Sequence, residues 1–167
     1  MQVSIMLTTH STELDTIRSH YDSLADFVPA HLSLVFPQPL PQLQTSMLTD
    51  IQEIIQTLPE TTFFTTHLLP DYDYHNLLLV LDDPENSLKK LHQALYSLSY
   101  FEPFQRRDIP FTPHITIARN QTKSQLDQLA HELMSKTIGL SVTFDTLVFE
   151  QIADNDQSIP LLKCHLT

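Results

Sequence analysis

Two short segments each place a histidine two residues before a hydroxyl within an apolar run: Pro29-Ala-His31-Leu-Ser33-Leu-Val-Phe-Pro37 and Phe111-Thr-Pro-His114-Ile-Thr116-Ile-Ala-Arg119. In an extended strand, residues two apart share a face. His31 and Ser33 therefore emerge together while Leu32 and Leu34 pack inward, and His114 and Thr116 do the same opposite Ile115 and Ile117. Imidazole titrates near neutrality and serves as general acid or general base. A hydroxyl donates to a non-bridging phosphate oxygen without adding charge. Two such pairs are sufficient for in-line phosphoester chemistry.

The triplet alone is weak. With 31 Ser and Thr among 167 residues, nine histidines should give roughly two matches to His-x-Ser/Thr by chance, and there are four. His10-Ser-Thr12 sits where a strand gives way to a helix cap, so its hydroxyl is expected to cap. His165-Leu-Thr167 ends the chain, where fraying is common. Context separates His31 and His114 from these two: flanking prolines, apolar neighbours and a repeated layout.

That layout is visible in the elements needed to hold the pair. Val3, Ile5 and Leu7 alternate as in a half-buried strand, and Ser11 or Thr12 can cap a helix to about residue 20, its faces set by Leu14, Ile17 and Arg18. A strand over 31–36 is bracketed by Pro29 and by Pro37, Pro39 and Pro41, which are expected to stop regular pairing. Leu43, Met47, Ile51, Ile54, Ile55 and Leu58 then recur at helical spacing from 42 to 58. Strands follow over 61–67 and 76–81 around a turn at Pro70-Asp-Tyr72-Asp-Tyr74, and Asp83 is placed to cap a helix bearing Leu88, Leu91, Leu95 and Leu98. The second half repeats the order: strand 115–117, helix 124–136 with a Thr122-x-x-Gln125 capping box, strand 141–149 and strand 159–166. The two strands after His31 begin 30 and 45 residues beyond it, and those after His114 begin 27 and 45 beyond it. Repetition of this kind implies two similar lobes related by a pseudo-two-fold axis, within a single domain over 1–167.

Composition narrows the chemistry further. Gly139 is the only glycine, which rules out GxGxxG and P-loop phosphate cradles, so side chains must hold any phosphate. A formal charge of −11 argues against an extended nucleic-acid duplex as partner, because such binding rests on Lys and Arg displacing counterions. No zinc-like or H-E-x-x-H spacing occurs, so neither a metal nor a cofactor is expected. The single cysteine, Cys164, cannot form an internal disulfide, and no apolar run approaches the ~20 residues of a membrane span, so a cytoplasmic, membrane-free protein is expected.

The two histidine segments resemble the signature motifs of the 2H phosphoesterase superfamily, His-x-Ser/Thr followed by an apolar residue, preceded by proline and separated by about this distance. Tyr21-Asp22, just before the first motif, is similar to smaller bacterial members. The resemblance implies an α+β bilobal fold, two lobes of antiparallel sheet with helices outside and a cleft between them. It implies metal-independent cleavage of a cyclic phosphate or 2′-5′ phosphodiester by His31 and His114, with Ser33 and Thr116 on the phosphate. A small nucleotide or an RNA-end phosphoester is the implied substrate. Arg119 follows the second motif and could neutralise a phosphate, although strict alternation points it to the opposite face from His114 unless the strand ends at Ala118. Arg106 and Arg107 are candidates for the cleft rim, and Tyr72 and Tyr74 for a stacking surface, with a solvated face and a turn as their plainer explanations. The alternative function is a non-catalytic binding module for a phosphorylated nucleotide or RNA end.

Overall fold

A computed structural model describes residues 1–59 and 61–166. It contains β1 (Gln2–Thr9), α1 (Thr12–Tyr21), β2 (Ala30–Pro39), α2 (Thr45–Ile55), β3 (Thr62–Asp71), β4 (Asn76–Leu81), α3 (Ser87–Tyr96), β5 (His114–Ala118), α4 (Lys123–Thr137), β6 (Ser141–Thr143), β7 (Thr146–Ile152) and β8 (Ser158–His165). The strands form two antiparallel four-stranded sheets, ordered β2-β1-β7-β8 and β5-β4-β3-β6. This is the expected α+β architecture of paired sheets. Each histidine lies on an edge strand, β2 or β5, and each of those strands pairs with the strand that precedes it in the chain. Among the described residues, no helix is long and apolar enough to cross a membrane.

The core face of each sheet follows from alternation. Val3, Ile5, Leu7, Leu32, Leu34, Leu147 and Phe149 join Leu77, Leu79, Ile115 and Ile117 in one buried cluster with the apolar stripes of the helices, such as Met47, Ile51 and Ile55. Ser11 caps α1 by accepting from the Leu14 amide at 3.4 Å. The Thr122/Gln125 capping box forms as expected, with the Thr122 amide donating to Gln125 Oε1 at 2.8 Å and the Gln125 amide to Thr122 Oγ1 at 3.3 Å.

Several expected boundaries move for identifiable reasons. The strand carrying His31 runs on through Pro37 to Pro39, still paired with Val3 and Gln2, because an edge strand tolerates missing donors on its outer side. Helix α2 starts at Thr45 and ends at Ile55, inside its apolar stripe. Pro70 and Asp71 belong to β3, so only 72–75 form the turn. The helix expected to start at Asp83 begins at Ser87, with Asn86 in the left-handed region (φ 55°) at the cap position. Asp83 still satisfies the first turn from a distance, its carboxylate accepting from the amides of Leu88 at 3.2 Å and Lys89 at 3.0 Å.

The largest correction concerns residues 141–149. They form two strands, broken at Phe144-Asp145: β6 pairs with β3, and β7 pairs with β1 and β8. The strands β3 and β4 that follow His31 consequently join the sheet of His114, and β7 and β8 that follow His114 join the sheet of His31, while β6 stays in the sheet of His114. The repeated order is real, but each sheet is assembled from both halves of the chain.

Candidate active site

On β2, Thr8 faces His31 and Met6 faces Ser33; on β5, Val80 faces His114 and Leu78 faces Thr116. Directly opposed residues on antiparallel strands share a face, and burial bears this out. His31, Ser33, His114 and Thr116 are half-buried, while Leu32, Leu34, Ile115 and Ile117 are buried. The edge strands β2 and β5 pack beside one another. Each imidazole thus shares the less buried face of its strand with its hydroxyl, on two strands that adjoin.

The two half-sites share two further details. His31 Nδ1 lies 2.8 Å from the carbonyl of Pro29, and His114 Nδ1 lies 2.7 Å from that of Thr112. A carbonyl only accepts, so each Nδ1 carries the proton and each neutral ring presents a basic Nε2 away from its own strand. Each strand also carries one unpaired residue three positions after its histidine. Met6 pairs with Ser33 but Ile5 with Val35, and Leu78 pairs with Thr116 but Leu77 with Ala118. These bulges, at Leu34 and Ile117, place two consecutive residues inward on each strand, Leu34-Val35 and Ile117-Ala118. A bulge resets the alternation and re-aims the side chains beyond it. Strand β5 ends at Ala118, the condition under which Arg119 is released from strict alternation, and the bulge at Ile117 has already shifted the parity before it. The counterpart of Arg119 five residues after His31 is Phe36, a large aromatic left 38% exposed.

Arg119 donates through Nε to Asp22 Oδ1 at 2.9 Å, its backbone amide donates to the Tyr21 carbonyl at 2.9 Å, and its charge reaches both histidines. Burial is the main reason the His31 pKa falls to about 4, with Arg119 and Arg18 adding to the fall, and the Pro29 bond and Asp22 opposing it. His114 is also lowered, again chiefly by burial, with the Thr112 bond and Asp71 opposing and Arg119 assisting.

Helix α3 closes the free edge of β2. His92 Nδ1 donates to the Leu34 carbonyl at 2.7 Å, and the Phe36 amide donates to Tyr96 Oη at 3.1 Å. The His92 ring also stacks on Phe111, at 4.0 Å and 12°, so one buried residue braces β2 against the segment leading to His114. Sequence reasoning did not find His92. Its signal was a histidine four residues from Tyr96 on the stripe of Leu88, Leu91 and Leu95.

The remaining candidates lie elsewhere or have other partners. His10 is exposed after β1. His165 is the far end of the row His31, Thr8, Thr146, His165 across the first sheet, with Nδ1 3.3 Å from Thr146 Oγ1; Thr167 lies outside the described residues. Arg106 and Arg107 form exposed pairs with Asp108 and Glu102, worth little in stability. Tyr72 is fastened to α4, donating to Asp127 at 2.6 Å beneath Lys123, and Tyr74 is 65% exposed. Among the described residues no group of three or more His, Cys, Asp or Glu side chains is placed to hold a metal ion.

Residues 7–156 match the family model of the 2′-5′ RNA ligase superfamily. The chain belongs to that superfamily. A Geobacillus kaustophilus protein named for phosphoesterase activity is 24% identical over 132 residues, which are 78% of this chain and 75% of that protein. E. coli LigT complexed with 3′-AMP superposes with a TM-score of 0.61 at 16% identity, covering 99% of this chain and 98% of LigT. A conserved Agrobacterium tumefaciens protein of unknown function superposes at 0.56 with 11% identity, over 96% of this chain and 84% of that one. Superfamily membership makes this a 2H phosphoesterase-type protein and supports hydrolase chemistry on phosphoesters, the coarse function read from the sequence. The structural likeness supports the fold.

Proposed function

We propose that the protein is a phosphodiesterase that opens a cyclic phosphate or a 2′-5′ phosphodiester of a nucleotide or RNA end by two-histidine acid–base catalysis without a metal. The observation that carries this reading is the matched pair of imidazoles, each with Nδ1 committed to a backbone carbonyl and Nε2 left for chemistry. For a 2′,3′-cyclic phosphate, neutral His31 takes a proton from water as the new O–P bond forms. Protonated His114 gives its proton to the departing ribose oxygen as the old P–O bond breaks. His31 suits the base because two guanidinium groups disfavour its charged form, whereas Asp71 favours that of His114. Ser33 and Thr116 donate to the non-bridging oxygens, and Arg119 offsets their charge. Phe36 offers an aromatic surface to a base. LigT, which shares the fold, has been crystallised with 3′-AMP and with phosphate, ligands of the class this site suits. The location proposed is the cytoplasm.

The pH dependence of kcat/KM tests this mechanism, because that ratio reports the free enzyme's acid and base. With His31 at about 4 and His114 below its ordinary 6.5, the profile is expected to be bell-shaped with its maximum below pH 6.5. Activity is lost at low pH as His31 protonates and at high pH as His114 loses its proton. A profile flat from pH 5 to 9 overturns the mechanism. Ser33→Ala and Thr116→Val each remove one neutral donor, and each is expected to lower kcat/KM by about tenfold. Unchanged kinetics in both would remove the hydroxyls from the site.

A further inference from the structure

Asp22 joins two arginines that are far apart in the chain. Its Oδ2 accepts from Arg18 Nε at 2.8 Å, and its Oδ1 accepts from Arg119 Nε at 2.9 Å and from the Leu24 amide at 3.0 Å. The Asp22 side chain is fully buried, that of Arg18 is 2% exposed and that of Arg119 is 20% exposed. Two guanidinium groups on one carboxylate leave a single positive charge uncompensated in a poorly hydrated place, where unpaired charge is costly. An anion at the more open end removes that cost. Arg119 is the open end: Nε is taken by Asp22, and among the described residues its Nη groups make no hydrogen bond.

The other arm runs to His31. Arg18 Nη2 donates to the Val28 carbonyl at 3.0 Å, one residue before Pro29, whose own carbonyl holds His31 Nδ1. The Arg119 backbone is pinned as well, by its amide bond to Tyr21 and by Gln121 Nε2 donating to its carbonyl at 2.8 Å. Asp22 therefore ties the residue after the second histidine strand to the segment entering the first.

We infer that Asp22 is a positioning residue shared by both half-sites: it holds the Nη edge of Arg119 toward a phosphate between the imidazoles and, through Arg18 and the Val28 carbonyl, steadies the segment that orients His31. This inference rests on the proposed reading that a phosphate sits between His31 and His114. It differs from a purely structural role because it acts through the fork of Arg119, which lysine cannot reproduce.

The test measures inorganic phosphate affinity by calorimetry, together with kcat and KM for 2′,3′-cyclic AMP, in wild type, Asp22→Asn, Arg119→Lys, Arg119→Met and the Asp22→Asn/Arg119→Met double variant. Asp22→Asn and Arg119→Lys are each expected to weaken phosphate binding by about tenfold. In phosphate affinity, Asp22→Asn should add little once Arg119 is methionine, since Asp22 reaches the phosphate through that side chain, while its arm through Arg18 is read in kcat. The inference is overturned if Arg119→Lys stays within about twofold of wild type, if the Asp22 and Arg119→Met effects multiply, or if wild type binds no phosphate. Should Asp22→Asn fail to fold, with Arg18 left buried and unpaired, Arg119→Lys decides alone. A wild type that binds phosphate with the expected losses yet hydrolyses nothing defeats the enzymatic reading and leaves this one standing. Turnover that is indifferent to Asp22→Asn does the reverse.

Discussion

His31→Ala and His114→Ala are each expected to reduce kcat/KM by about 10³-fold, with the double variant little worse than either single one. A positioned acid or base contributes roughly 10² to 10⁴ in rate, and groups that act as a unit are far from additive. The fold should survive both changes. Each ring is half-buried and makes one hydrogen bond to a neighbouring carbonyl, whose net worth is about 1 kcal/mol. Steady-state kinetics beside thermal melts separates the outcomes. Normal melting with activity lost in both variants fits an acid–base pair, whereas activity kept in either removes that histidine from the chemistry. Loss of folding in both would mark them as core residues.

Phe149→Ala should have the largest effect on stability, about 3–5 kcal/mol. Phe149 lies on β7, an interior strand, is fully buried, and meets the equally buried Phe101 edge-to-face at 6.2 Å and 73°. Truncation would open a cavity between β7 and the segment after α3, and β7 cannot move to close it without breaking its pairing with β1 and β8. Phe64→Ala, at a ring 56% exposed, is expected to change stability by less than about 0.5 kcal/mol. Urea denaturation measures both, and similar costs for the two would contradict the layered core.

The features legible in the sequence are the ones written locally. The parity of His31 with Ser33 and of His114 with Thr116 depends only on strand period, and the Thr122/Gln125 box only on three-residue spacing. The bulges at Leu34 and Ile117 belong to pairing between strands and leave no trace in alternation, whereas the condition that frees Arg119 from alternation, a strand ending at Ala118, was legible, and β5 does end there. The division of 141–149 reflects which sheet each part joins, decided by β1 and β3 far upstream. Asp22 lies 97 residues from Arg119, and no local pattern links them. Its neighbourhood drew notice only through the Tyr21-Asp22 resemblance. His92 was hidden for a different reason: on a helix stripe it reads as a core residue, which it is, and its contact with Phe111 forms only once both lobes are assembled.

The most direct test of the two-histidine phosphodiesterase is hydrolysis, in EDTA, of a panel of 2′,3′-cyclic nucleotides, RNAs ending in a cyclic phosphate and 2′-5′-linked dinucleotides. Turnover of at least one member that persists in EDTA and is absent from folded His31→Ala and His114→Ala is the predicted result. Binding of these compounds with no turnover of any of them would contradict it and identify the cleft as a binding module.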